Sequence, residues 1–431
     1  MDVLFSHADA VLMDDAGTVL KDAYVEVSGK QIRFVGTKRP EGFSGREIDC
    51  GGKVLMPGLV NAHTHVPMTL MRGYADGYDL QTWLNDYIFP AESRLDGRAV
   101  RAGTALGLAE MIASGITSFS DMYYFCDEIV EETVAAGLEA NISRGMTNFT
   151  PEFDPKTHSG YLETRRLAEK WNGYQDGQIR IDASIHGEYT SGPALWRCMA
   201  DYAMEQGLGM HVHLSETKAE QEECIARHQL TPAAVLDRYG VWNTRAIAAH
   251  CVFVTEEDIA LLKERGVTAV HNPVSNLKLA SGIAPVPRFL SAGLNVALGT
   301  DGVSSNNSHD LFEEIKLAAM LHKGVSHDPR AVTTLEALKM ATVNGAAAQG
   351  RKAGKIAQGF AANLILLDFD RPHLAPCHDV LSHLVFAARG SDVVMNMTAG
   401  KIIYENGTFQ TIDLERVLWE VRHYAMQKVF G

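Results

Sequence analysis

Between residues 56 and 350 the chain repeats one texture eight times: a short apolar run with a polar end, then a stretch of helical periodicity. The runs are "GLVNAHTHVPM", "GITSFSDMYY", "EANISRGM", "IRIDASIHGE", "GMHVHLSE", "AIAAHCVF", "VTAVHNP" and "NVALGTDG". Stretches such as "AVRAGTALGLAEMIASG" and "EEDIALLKERG" lie between them. Strands that alternate with helices predict βαβ units and a parallel sheet, and eight is the number that a (β/α)8 barrel requires. The expectation is an α/β fold with a TIM-like barrel over residues 56–355.

The two ends have a different texture. In "AYVEVSGKQIRFVG" apolar and polar residues alternate around a Ser-Gly-Lys turn, which predicts a β-hairpin. "ANLILLDFD" and "DVVMNMTAGKIIYENGTF" are again strand-like, and "LERVLWEVRHYAMQ" has the pattern of a terminal amphipathic helix. Residues 1–55 and 356–431 are therefore expected to pair into one small β-sandwich beside the barrel.

Charge narrows the partners. With 39 Lys and Arg against 53 Asp and Glu, the formal net charge is −14. That balance argues against nucleic acid or an anionic membrane surface, both of which require basic patches. No apolar run approaches the length of a membrane span. The start, "MDVLFSHADAVLMDD", lacks the basic segment of a signal peptide. Six cysteines without paired spacing fit reduced thiols, so the expected location is cytoplasmic.

In barrel enzymes chemistry gathers at the C-terminal ends of the strands. In order, those ends carry His63 and His65, Asp121, Arg144, His186, His213 with Glu216, His250, Asn272 and Asp301. His63 and His65 are two apart on one strand, so they share a face. Alone they could be a core pair, and Asp301 alone could cap the helix that follows it. Together, three imidazoles and a carboxylate form a first shell for Zn²⁺ or Fe²⁺ that leaves one position open.

These motifs resemble the amidohydrolase superfamily, and within it the mononuclear deaminase branch. "PGLVNAHTH" matches the first-strand motif, "HVHLSE" the fifth-strand His-x-x-Glu, "AAHC" the sixth-strand histidine and "LGTDG" the eighth-strand aspartate. The resemblance covers essentially the whole chain, and "ATVNGAAAQG" resembles the family's return into the sandwich. Asn363 departs from the pattern, where an Asp is more usual. Binuclear members bridge two metals with a modified lysine after strand 4. Here that strand ends "ASIHG", so the resemblance implies a single ion, Zn²⁺ first and Fe²⁺ as the alternative.

The resemblance also implies roles. His63, His65, His213 and Asp301 would hold the metal, which lowers the pKa of water from about 15.7 towards about 7. Asp301 would accept the proton of the attacking water, Glu216 would protonate the ring nitrogen beside the attacked carbon, and His250 would stabilise the developing oxyanion. His211 shares a face with His213, but only His213 has the His-x-x-Glu spacing to Glu216. His271, beside the end of strand 7, is as readily structural as functional.

The sequence "HTHVPMTLMRGYADGYDLQTWLNDYIFPAE" resembles the group that deaminates 5′-methylthioadenosine and S-adenosylhomocysteine. In that group the matches of Glu92, Arg144 and His186 bind the ribose hydroxyls, the amino-acid carboxylate and the sugar. The alternatives are a capping carboxylate for Glu92 and a structural ion pair for Arg144. Trp83 packs either on the nucleoside or in the core. The expected partner is thus a small nucleoside, adenosine among the candidates, and the product is the inosine analogue with ammonia. Two other readings stay open: an amidohydrolase of another heterocycle (guanine, an oxidised purine or a triazine), and a metal-binding scaffold without activity. Family members often form homo-oligomers, which the sequence leaves open here.

Overall fold

The structure, a computed structural model, describes residues 2–150 and 152–431. Eight parallel strands stand in sequence order: β1 (Leu59–Thr64), β2 (Ile116–Tyr123), β3 (Glu139–Arg144), β4 (Ile179–Ser184), β5 (Met210–Leu214), β6 (Ala246–His250), β7 (Thr268–His271) and β8 (Asn295–Leu298). They curl into a nearly closed, TIM-like barrel. Where β8 returns to β1, the Asp301 amide donates to the His63 carbonyl at 3.0 Å. The Asn61 side chain completes the seam, donating to Thr300 Oγ1 at 2.7 Å and accepting from the Thr300 amide at 3.0 Å. Every residue of β1, β2, β5, β6 and β7 is buried, as strands covered by helices must be.

Helix starts follow the local chemistry. The Asp96 carboxylate accepts from the Ala99 amide at 2.9 Å and opens helix Gly97–Ala113. Thr255 and Asp258 form a reciprocal capping box ahead of helix Glu256–Glu264.

The two ends of the chain meet in one mixed sheet of nine strands. Strand Lys53–Pro57 pairs antiparallel with Leu364–Asp368, Leu364 opposite Pro57. Because side chains alternate, this sheet buries both faces. Leu364 and Leu366 join Phe5, Val25 and Leu55 in a small core. Ile365, Leu367, Val54 and Met56 face the large core of the barrel and its helices. The expected hairpin joins strands Val19–Ser28 and Gln31–Gly36, with Ser28 opposite Gln31 and Gly29 at φ 58° in the turn. A helical stretch, Leu414–Phe430, closes the chain against helix Gly97–Ala113, where Tyr424 donates to Asp96 at 2.6 Å.

Asn363 has a physical reason here. Its Nδ2 donates to Glu139 at 2.7 Å while its Oδ1 accepts from the Ala399 amide at 2.7 Å. An aspartate could make only the second bond and would repel Glu139. Among the described residues, no helix is long and apolar enough to cross a membrane.

Candidate active site

The strand ends bring six of the predicted residues to one buried point. Ligand atoms of His63, His65 and His213 lie within 4.8 Å of one another, and so do those of His63, His250 and Asp301. Asp301 Oδ1 stands 3.4 Å from His63 Nε2 and 3.2 Å from His65 Nε2. His213 Nε2 is 3.3 Å from His65 Nε2. Glu216 Oε2 approaches His250 Nε2 at 3.7 Å.

Each of the three clustered histidines is anchored through Nδ1, which leaves Nε2 for the common point. His65 Nδ1 contacts the Met122 carbonyl at 2.5 Å and His213 Nδ1 the His186 carbonyl at 2.7 Å. Carbonyls only accept, so both Nδ1 atoms carry hydrogen. His63 is held by a relay: its Nδ1 meets His211 Nε2 at 2.8 Å, His211 Nδ1 meets Ser143 Oγ at 3.4 Å, and Ser143 donates to the Asp121 carbonyl at 2.9 Å. Since Ser143 donates onward, it accepts from His211, which in turn accepts from His63. His211 is therefore a support for a ligand candidate. This outer hydrogen bonding is how proteins orient metal-binding imidazoles.

The donor set fits a divalent cation. His63 Nε2 is buried and has no hydrogen-bond partner among the described residues. Burial pushes His63 down to about 4 and His213 well below the usual imidazole range, so both are neutral, as ligands must be. Burial also penalises a charge on His65, yet the Asp301 hydrogen bond and charge carry it up to about 9. The His65–Asp301 pair thus favours a positive charge between its partners. Burial alone would raise the Asp301 carboxyl; the close His63 and His65 imidazoles, His65 by its hydrogen bond and charge, outweigh it and hold the group well below the carboxylate range. Its Oδ2 accepts from Ser275 at 2.6 Å and Ser305 at 3.1 Å.

The backbone is bent to present these groups. His250, Cys251, Asp301 and Ser215 all have positive φ, at 73°, 50°, 60° and 48°. Non-glycine residues in the left-handed region are costly, and such strain gathers at functional sites.

A cleft of about 70 Å³ lies over this point, walled by Met68, Trp83, Leu84, Tyr189 and Leu279 among others. Trp83 is buried in that wall and in the large core at once, so the core role expected for it holds and its indole also faces the cleft. Glu92 and His186 line the cleft. Burial raises Glu92 to about 7, opposed by the Tyr123 hydroxyl, and lowers His186 to about 3. Burial also raises Glu216, against the pull of His250 and a hydrogen bond from Ser281 at 3.1 Å. An outer cavity of about 720 Å³ shares Phe89, Glu92 and Tyr124 with the cleft and contains Arg144. There Arg144 Nε donates to Glu163 at 2.9 Å, and the guanidinium stacks 4.4 Å from the Tyr124 ring centre. Arg144 is thus in an ion pair and in a ligand-sized cavity together.

Sequence reasoning missed several residues that hold the site. Asn276 Oδ1 accepts from His250 Nδ1 at 2.8 Å, which turns His250 Nε2 towards the cleft. Ser275, Ser281 and Ser305 support the two carboxylates. The only signal was spacing: Asn276 follows Asn272 by four and Ser305 follows Asp301 by four. His271 packs against His322, with ring centres 5.3 Å apart, in the core behind β7.

Comparison with known proteins agrees with this geometry. A 5-methylthioadenosine/S-adenosylhomocysteine deaminase from Caldanaerobacter subterraneus subsp. tengcongensis is 42% identical over 100% of this chain and 99% of its own length. A 5′-deoxyadenosine deaminase from Methanosarcina mazei is 42% identical over 99% of this chain and 98% of its own. A zinc-bound adenosine deaminase structure from Xanthomonas campestris superposes with a TM-score of 0.93 at 33% identity, covering 99% of this chain and 98% of the other. Residues 54–403 match the model of the amidohydrolase family, a span that holds every strand of the barrel and every residue of the site. The chain belongs to the amidohydrolase family.

Proposed function

We propose that the protein deaminates 5′-substituted adenosines, 5′-methylthioadenosine and S-adenosylhomocysteine foremost and adenosine with them, to the corresponding inosines and ammonia. The observation that carries this reading is the shape of the pocket. A small cleft over the histidine–aspartate cluster adjoins a larger cavity, and Glu92 stands where the two meet. A purine at the cluster, a ribose beside Glu92 and a 5′ tail towards Arg144 follow that line. The names of relatives with 42% identity support the same class of substrate.

His63, His65, His213 and Asp301 are the residues to hold one zinc ion, which supplies Lewis-acid activation of water. The chain's own groups do the rest. Asp301, ionised and fixed by Ser275, Ser305 and the Gly302 amide at 2.8 Å, accepts the proton of the attacking water. Glu216, kept protonated more readily by burial, donates to the ring nitrogen next to the attacked carbon. Held by Asn276, His250 steadies the negative charge that develops on the incoming oxygen. His186 and Glu92 orient the sugar.

An ammonia-release assay over nucleosides and free bases tests the proposal. Turnover of methylthioadenosine and S-adenosylhomocysteine, with guanine and aminotriazines inert, is the expected result. Release from a free base alone would replace the substrate class.

A further inference from the structure

The outer cavity holds an unusual set of charges for a site that receives a carboxylate. Among the described residues lining it, one cation, Arg144, faces two carboxylates, Glu92 and Glu163. Two of the three guanidinium nitrogens are engaged: Nε donates to Glu163 Oε2 at 2.9 Å and Nη1 to the Gly145 carbonyl. Nη2 and Glu163 Oε1 make no hydrogen bond among the described residues. Both side chains are only partly exposed, 17% for Arg144 and 24% for Glu163. Neither has the mobility of a free surface charge, and Tyr124 fixes the guanidinium plane from one side.

A purely anionic tail that reaches Arg144 meets the repulsion of the Glu163 carboxylate paired with it. A tail that brings its own positive charge does not. The α-ammonium and α-carboxylate of an amino acid hang on one carbon, so their receptors must stand side by side. Arg144 and Glu163 stand 2.9 Å apart with one free donor and one free acceptor. We propose that Glu163 binds the α-ammonium of the substrate tail, so that Arg144 and Glu163 together select a zwitterionic 5′ substituent over an anionic one. This rests on the reading of the site as a 5′-substituted adenosine deaminase. It assigns Glu163 a specificity role, and it expects 5′ phosphates and simple carboxylates to be poor tails.

The test compares S-adenosylhomocysteine with its analogue lacking only the α-amino group, on wild-type protein and on Glu163→Gln. Hydrogen bonds to charged groups are worth about tenfold to a hundredfold in binding. Wild-type kcat/KM should favour the amino-bearing tail by about that factor, and Glu163→Gln should bring the ratio to within about threefold of one. If Glu163 only positions Arg144, the substitution lowers both substrates together and the ratio stays, which overturns the proposal. Equal rates for the two tails on the wild type overturn it without any variant. Methylthioadenosine on the wild type separates the two levels of the account. Its turnover with indifference to the amino group refutes the Glu163 assignment alone, whereas no turnover of any of the three refutes the substrate class and this assignment with it.

Discussion

At the base of the barrel, Arg351 donates to the carbonyls of Gly177, Ala140 and Gln178 at 2.6, 2.8 and 3.1 Å. Arg245 pairs with Asp182 and reaches the Ala348 carbonyl at 2.6 Å, while Asn141 donates to Asp182 at 2.9 Å. Gln349 bridges Ser118 and Ser120. One atom of that network, Arg351 Nε, has no partner among the described residues; at the opposite rim the buried polar groups are as dense and less complete, since His63 Nε2, Asp121 Oδ2 and Asn276 Nδ2 have none among them. The rim bends buried non-glycine backbone to positive φ at His250 and Asp301, whereas at the base the non-glycine residues that do so, Gln175 and Asp176, lie in an exposed turn and the Gly350 turn uses glycine. Buried polarity alone distinguishes neither end. Several unpaired atoms beside buried, strained backbone distinguish the rim; a more nearly saturated network distinguishes the base.

Substitutions at the two ends should therefore separate activity from stability. The largest effect belongs to Glu216→Gln, which keeps shape and metal but delivers a proton poorly. Turnover should drop by about 10²–10⁴-fold with normal metal content; unchanged turnover would make Glu216 a bystander. At the base, Arg351→Met removes the cation 3.7 Å from Glu139 Oε1 and strands several carbonyls. Denaturant titration should report a loss of about 3 kcal/mol, with kcat per folded molecule unchanged. A fall in kcat without a fall in stability would break the contrast.

Arg144→Ala sharpens it on the substrate side. Losing one partner of a buried charged pair costs about 2 kcal/mol at the lower end, or roughly thirty-fold in kcat/KM. That loss should fall on S-adenosylhomocysteine, with methylthioadenosine changed less than about threefold. Equal losses would turn Arg144 into a support of the barrel.

The smallest effect is a pH dependence. Burial raises Glu314 to about 8, against bonds from the Val274 amide and Asn306. A carboxyl whose folded pKa lies above its unfolded one stabilises fully below about 4.5 and loses that contribution as pH rises through about 8. The melting temperature of wild type should fall from pH 5 to pH 9 more than that of Glu314→Gln. Parallel slopes would show that Glu314 does not titrate in this window.

The sequence made the rim legible because strand-end chemistry is local: "HTH", "HLSE" and "GTDG" each carry a ligand candidate with its strand. The alternation of strands and helices likewise announced the barrel. The supports were not legible, because Asn276, Ser281 and Ser305 act across the gap between elements and have no period. The base escaped for the same reason. "AAAQGRKAG" reads as a connection, and only the fold brings Arg351 under β3 and the turn before β4. Arg144 was half legible: the ion pair foreseen for it is made with Glu163, and the pair lines the outer cavity in which its carboxylate-binding role is proposed.

Metal content per chain, measured on wild type and on His65→Ala, tests the central claim most directly. With three histidines and one aspartate at the rim as ligands, wild type should bind about one divalent ion, chiefly zinc, and His65→Ala should lose most of it. Full occupancy in His65→Ala would contradict the assignment of the rim as the metal-binding end of the barrel.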